Sequence, residues 1–348
     1  MNLNKKAMTK LTAIERTIPM KNSLDFNIPF SYFTNANFIG CFSPTYIFIE
    51  GIDGKKDDAF NQYFCLFETM SGCSSLRCRF GNEQTSYKWD DCDSDSTIDF
   101  LFGFTGYDYR ICSDNASFKG EITASIDAGK PVIAKVKPNI NGAFRVITGY
   151  DGDTLIHPDY THAHDRPEST TSYDELELLY ILGDKIAPRY TLKHGLERIQ
   201  QVKEKNVTEK LWDGYIEKMG GWLMFPSDDG WQQADTEERK TRMERLNKAM
   251  WCAMNSHSFG ETFRNCRHDE LKNPALSGLW KKASELCYST DAIIYGIDYL
   301  NKQIDWSGID QYTTGPGVSA MICMMIYKMK ALDMEVLETI KEAIAILR

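Results

Sequence analysis

The sequence predicts an α+β fold with an antiparallel sheet, followed by an α-helical bundle. Three observations predict it: short helical patterns come first, a run of β-branched segments separated by turn residues follows, and helical periodicity then fills almost everything beyond about residue 190. Helices followed by a meander of strands indicate α+β, because a parallel sheet needs strands and helices to alternate.

The elements are justified in chain order. In FIGCFSPTYIFIEGI, Ser43 suits a helix cap and Pro44 the first helical position, so a helix is predicted to start there, with Cys41 just ahead of it. Asp57 to Thr69 places Phe60, Phe64 and Phe67 at helical spacing and stops at Ser71-Gly72. Leu76 to Phe80 alternates as a strand, Asp95 to Phe104 reads as a helix capped by Ser96, and Tyr107 to Cys112 alternates again. Ser117 to Ala128 is helical, with Gly129 as its stop. PVIAKVKP, AFRVITGY, DTLIHP and LELLYILG then read as consecutive antiparallel strands. The later helices are predicted at Leu192 to Glu204, Thr208 to Met219, Thr236 to Ser256, about Phe259 to Cys266, Pro274 to Gln303 and Gly317 to Leu347. Breaks are expected at Gly220-Gly221, Pro226 and Gly315-Pro316, and the short connections suit a bundle. Residues 1–24 read as an N-terminal extension, 25–190 as the α+β domain and 191–348 as the helical domain.

Composition narrows the classes of function. A chain of 348 residues with 42% hydrophobic and 12% aromatic residues can fill substantial cores. Forty Lys and Arg against 49 Asp and Glu give a net charge of −9, and the basic residues occur only in short pairs, which argues against a nucleic-acid partner. The absence of any window of about 18 apolar residues argues against a membrane span, and the opening segment lacks the apolar core of a signal peptide. Ten cysteines scattered among apolar neighbours suit a reducing compartment, so a cytoplasmic location is expected. Without a secretion signal, the acceptor-like triplets at Asn115 and Asn206 carry no weight.

Certain residues, taken together, carry a resemblance. A cysteine precedes an early helix (Cys41), a helix ends in AGKPVIA, a strand follows as Gly142-Ala143-Phe144 leading into VITGYDGD, and the next strand ends at His157-Pro158. SGCSSLRCRF followed by Trp89 adds to the pattern. This order resembles the bacteriocin-processing, double-glycine type of cysteine peptidase, with its papain-like architecture. More narrowly it resembles the N-terminal domain of the butirosin-biosynthesis acyltransferase family, whose members also carry a helical C-terminal part. The likeness covers roughly residues 25 to 187.

The resemblance implies chemistry that needs a thiolate, an imidazole to take its proton and a group to orient the imidazole. A helix N-terminus at Cys41 would suit the thiolate. Active members begin the strand Gly-His-Phe, whereas Ala143 stands at the imidazole position here. Their next strand ends in Asp-Pro, whereas here it ends His157-Pro158, with Asp159 displaced by two residues. General-base assistance contributes about 10²–10⁴-fold, so its loss largely silences such a site. The alternative is a relocated base, with His157 serving Cys41 and Asp159 or Asp151 orienting the ring.

Other motifs favour structural readings. HPDYTHAHD holds His157, His162 and His164 with Asp159 and Asp165, but it offers only one arm of a metal site, so a solvated loop is expected. Cys73, Cys78 and Cys92 match no ligand spacing, and no glycine-rich phosphate cradle occurs, so neither metal nor cofactor is expected. The aromatic stripe of Tyr46, Phe48, Phe60, Tyr63, Phe64 and Phe67 reads as core. GGWLMFPSDDGW reads as packing at the junction of the halves or as a pocket wall, and the Met-rich segment after Gly317 as core. The function expected from all of this is binding of a small molecule or peptide in the former active-site cleft, as an accessory to secondary-metabolite or peptide biosynthesis. The rival is an acyltransferase or thiol-dependent amide hydrolase using Cys41 with a relocated base, and a purely interaction role for the helical half is a third option.

Overall fold

The computed structural model describes residues 21–26, 28, 37–53, 59–75, 93–137, 144–158, 168–223, 235, 237–238, 241, 256–265, 269–303 and 315–347. Among them the chain is a mixed α+β protein with two small antiparallel sheets and a helical C-terminal region. The first half contributes helices α1 (Phe38–Ile49), α2 (Ala59–Met70), α3 (Asp95–Thr105) and α4 (Asn115–Asp127). The second contributes α5 (Leu192–Thr208), α6 (Leu211–Leu223), α7 (Ser256–Asn265), α8 (Ser277–Gln303) and α9 (Gly315–Ile346). No helix among the described residues is long and apolar enough to cross a membrane.

One sheet has the order β2-β8-β3-β4, from Tyr107–Cys112, Leu176–Lys185, Val132–Val136 and Phe144–Ile147. The other is β1-β5-β6-β7, from Lys21–Ser23, Gly149–Asp151, Thr154–Pro158 and Glu168–Ser172. Every pairing is antiparallel, but the meander is interrupted, because β8 returns to lie between β2 and β3. The Gly-Asp turn closes the β5–β6 hairpin, and Gly152 takes a left-handed φ of 61° there, where a side chain would be strained. Gly149 is required for a different reason, since a Cβ would lie 2.7 Å from the Asn22 carbonyl oxygen of β1.

Strand alternation sends the first sheet's side chains into two cores. Ile133, Phe144, Val146, Tyr180 and Leu182 join the core containing α1, whereas Val132, Ala134, Ile147, Leu179 and Ile181 join the core of α4. The sheet therefore has α1 on one face and α4 on the other. Apolar burial at about 25 cal/mol per Å² makes both faces worth covering.

The α1 core also crosses the change of texture near residue 190. Phe60, Phe64, Phe67 and Met70 belong to the same cluster as Phe259, Phe263, Trp280, Val336 and Ile340. Buried polar pairs follow the same route: Ser258 Oγ donates to the Glu68 carboxylate, Thr262 and Thr69 hydroxyls meet at 3.1 Å, and Asn206 Nδ2 donates to the Ser75 carbonyl at 2.7 Å.

Several boundaries differ from expectation. Helix α3 is capped by Ser94, whose Oγ accepts from the Thr97 N–H, rather than by Ser96. Asp114 caps α4, which begins at Asn115, two residues ahead of the predicted start. Helix α6 runs through Gly220-Gly221, where a break was expected; glycine costs a helix about 1 kcal/mol relative to alanine without forbidding it. Strands β1 and β7, with sequences KNS and ESTTS, carry no apolar alternation and escape a pattern reading. The predicted strand at Leu76 to Phe80 and most of the predicted helix at Thr236 to Ser256 lie outside the described residues.

An ion pair and a hydrogen bond to one carboxylate fasten the helical region. Lys203 on α5 meets Asp333 on α9 at 2.5 Å, the Lys203 side chain buried and that of Asp333 nearly so, and Trp212 Nε1 donates to the second Asp333 oxygen at 3.0 Å. Removing one partner strands the other charge in the core, so Asp333→Ala is expected to lower urea-measured stability by about 3–5 kcal/mol, and the double variant Lys203→Met/Asp333→Leu by less.

At the junction, Arg189 Nη2 and Tyr190 Oη each donate to the Asp99 carboxylate at 2.8 Å, tying the segment after β8 to α3. Burial alone would raise the Asp99 pKa, but the bonds from Arg189 and Tyr190 outweigh it and hold the carboxyl below its ordinary value. A carboxyl with a depressed folded pKa stabilises fully above the unfolded value of about 3.9 and loses that contribution as pH falls through the folded one. The melting-temperature gap between wild type and Asp99→Asn is therefore expected to be constant near neutral pH and to close as pH falls below about 4.

Candidate functional site

The first turn of α1 is the position to which the resemblance points. Helix α1 begins at Phe38, not after Ser43. The physical reason is a pair of bonds that satisfy the orphan N–H groups of a helix start. Asn37 Oδ1 accepts from the Gly40 N–H at 2.8 Å, and Asp93 Oδ1 accepts from the Phe38 N–H at 2.7 Å. Pro44 consequently lies inside the helix, where it withholds the N–H that would bond the Gly40 carbonyl. The neighbouring hydroxyls turn back along the helix, Ser43 Oγ to the Ile39 carbonyl at 2.7 Å and Thr45 Oγ1 to the Cys41 carbonyl at 2.8 Å.

Cys41 is therefore the fourth residue of the helix rather than its forerunner, and only 1% of it is exposed. It joins the α1 core beside a dense aromatic cluster. The Phe38 ring lies 5.0 Å from Tyr180, 5.6 Å from Phe144, 5.8 Å from Phe42 and 6.0 Å from Phe102, with edge-on geometry to Tyr180 and Phe144. Phe102 in turn stacks on Tyr109 at 4.1 Å. Such pairs add about 0.5–1.5 kcal/mol each beyond area burial, so the apolar side of the first turn of α1 is well packed.

His157 is buried on β6, with Nδ1 2.9 Å from the Pro158 carbonyl oxygen. It shares a strand face with Leu155, two residues away, and Leu155 belongs to the α4 core. Cys41 belongs to the α1 core, a different cluster from the one that takes in Leu155. Asp151 is exposed and lies 3.7 Å from Lys21. Ala143, Asp159, His162, His164, Asp165, Cys78 and Cys92 lie outside the described residues. Among the described residues no group of three or more His, Cys, Asp or Glu could hold a metal ion.

The electrostatics of the helix mouth are acidic. The positive end of the α1 dipole is occupied by the Asp93 carboxylate, which takes the position that favours an anion. Tyr180 has its pKa pushed up to about 12, by burial first and then by Asp95 and Asp93. Tyr109 is raised by burial and by Asp99. At the far end of α1, Tyr107 donates to Glu50 at 2.8 Å and Lys185 reaches the same oxygen at 2.5 Å. Burial would raise the Glu50 pKa, but these two bonds reverse the direction and lower it.

Asn37 was missed by sequence reasoning, although an Asx residue before an apolar run is a recognised cap; the Ser43-Pro44 pair presented the stronger signal. Its Nδ2, by contrast, is buried with no hydrogen-bond partner among the described residues. Asp93 acts from 55 positions away, and no local pattern announces it. No protein-family model matches the chain, and no curated protein matches it. Asn37→Ala is expected to destabilise the protein by about 1 kcal/mol through loss of the cap, whereas Asn37→Asp keeps the acceptor and most of the stability, as read by chemical denaturation.

Proposed function

We propose that this chain is a catalytically silent protein on a papain-like scaffold, and that its role is to bind a small molecule or a peptide. The burial of Cys41 in the first turn of α1 carries the assignment. Reactive cysteines sit in partly exposed, electropositive surroundings, whereas buried structural cysteines are inert. Here the thiol lies in an apolar core and a carboxylate takes the helix end that would otherwise favour a thiolate. The alanine at position 143 removes the base that the resemblance would require, and the face on which His157 lies favours no replacement.

One recognition element stays at the former site. Asn37 Nδ2 is a buried amide donor without an acceptor among the described residues, a state that costs about 1–3 kcal/mol. A carbonyl or carboxylate oxygen is the complementary group. Binding of an acyl or peptide ligand there would recover part of that cost and, by linkage, raise the melting temperature.

Two measurements test the proposal. Native protein treated with iodoacetamide and mapped by mass spectrometry should show Cys41 alkylated far more slowly than in urea. Rapid native labelling with a midpoint well below about pH 8.5 would instead establish an activated thiol and reject silence. In a thermal-shift panel of aliphatic carboxylates and short peptides, stabilisation of wild type that disappears in Asn37→Asp supports binding at the α1 mouth. Stabilisation that survives the substitution removes Asn37 from the site.

A further inference from the structure

Helices α8 and α9 pack on each other, and their contact is marked at Gly296, where a Cβ would lie 3.9 Å from the Met325 methyl carbon. Within about 6 Å of that point along the helix axes stand Tyr295 and Tyr299 on α8 and Met321, Met324 and Tyr327 on α9. Spacings of four and three residues keep each set on one stripe of its helix. All five side chains are open to solvent, between 38% and 71% exposed, with Met324 the most open and Tyr299 next.

The opposite side of the same helices is already buried. Ile294 and Ile297 on α8 and Ile322, Ile326 and Met329 on α9 lie in the interior. The Met-rich segment after Gly317 is thus core on one side only. No charged residue interrupts Ala292 to Ile297 or Val318 to Tyr327, in a chain of which 26% is charged. A surface helix ordinarily turns a charged face to water, and a helix that is apolar on both sides is one that is covered on both. A bilayer suits this face poorly, because no helix among the described residues is long and apolar enough to cross one and a net charge of −9 opposes an anionic lipid surface.

Area favours a second copy of the chain. With a fully exposed tyrosine or methionine taken at about 200 Å², the five side chains leave roughly 550 Å² open. That is the upper end of the range of about 300–600 Å² for the largest apolar patch on a typical monomer. A two-fold axis through the patch sets it against itself and covers about 1,100 Å² over the two copies, above the roughly 1,000 Å² of a specific interface, before any rim contact is added. Uncharged and rich in tyrosine and methionine, the patch has the composition of an interface core and carries no sign for a charged partner to answer.

We propose that the chain forms a symmetric homodimer through the outer face of the α8–α9 pair, with Tyr299 and Met324 at the centre of the contact. This interface does not depend on what the α1 mouth binds or on whether Cys41 reacts.

Sedimentation velocity of the intact chain is the test. The dimer is expected to form with a Kd on the order of 1–10 μM, as suits an interface at the small end of the size scale, so a series from about 0.5 to 200 μM spans the transition. Tyr299→Glu/Met324→Glu brings like charges together across the two-fold axis and should weaken association at least about thirty-fold. Val207→Glu, at an exposed apolar residue of α5, and Lys281→Glu, at an exposed residue near the start of α8, should leave it unchanged. Raising sodium chloride from about 0.05 to 0.5 M screens the repulsion between two copies of charge −9 and should leave the dimer as tight or tighter. Circular dichroism melting verifies that each variant is folded; if the double variant is not, Met324→Glu alone, at the most exposed of the five side chains, reads the same loss. A monomer at every concentration, a dimer that survives the substitutions on the patch or dissociates in salt, or an equal loss in Val207→Glu would overturn the proposal.

Discussion

The ring of Phe38 holds the α+β half together. As the first residue of α1 it touches the sheet through Phe144 and Tyr180, the neighbouring helix α3 through Phe102 and its own helix through Phe42. Its backbone N–H is fixed by Asp93, just ahead of α3, so one residue sets both the position and the electrostatic state of the helix end. With that end filled by aromatic rings and answered by a carboxylate, the fourth residue of the helix becomes part of the core. The fate of Cys41 follows from the packing of a residue three positions before it.

The same core explains why the helical region is more than an appendage. Helix α2 lies between α1 and α7, and its aromatic residues are shared with Phe259, Phe263 and Trp280. Polar groups along the seam are answered across it, Glu68 by Ser258 and Thr69 by Thr262. A polar group buried at such a seam is tolerated only when its partner is supplied, and each half supplies groups that the other needs.

Much of this was legible in the sequence. The spacing of Phe60, Phe64 and Phe67 located α2, the β-branched runs located β3, β4 and β6, and the break in texture near residue 190 separated the sheet-bearing part from the helical one. Local signals failed where two of them competed or where none existed. Ser43-Pro44 outweighed Asn37 because a proline at a helix start is a strong pattern, yet the Asp93 bond decided the start, and a bond between residues 38 and 93 leaves no periodic trace. The polar strands β1 and β7 gain their place from pairing with β5 and β6, not from their own side chains.

The return of β8 to a place between β2 and β3 bears on how the chain reaches this structure. Tyr107 pairs with Lys185 and Val132 with Ile181, so two of the three pairings in that sheet must wait for a strand that ends near residue 185. Closing such long loops is slow relative to helix formation, and a high contact order lengthens the time that strand edges stay exposed. The core that covers α1 and α2 then recruits side chains as late as Ile340 and Ile344. During synthesis, the aromatic surface of the first half therefore stays partly uncovered until the segment containing Ile340 and Ile344 has emerged, which places a kinetic hazard of this fold at the ribosome.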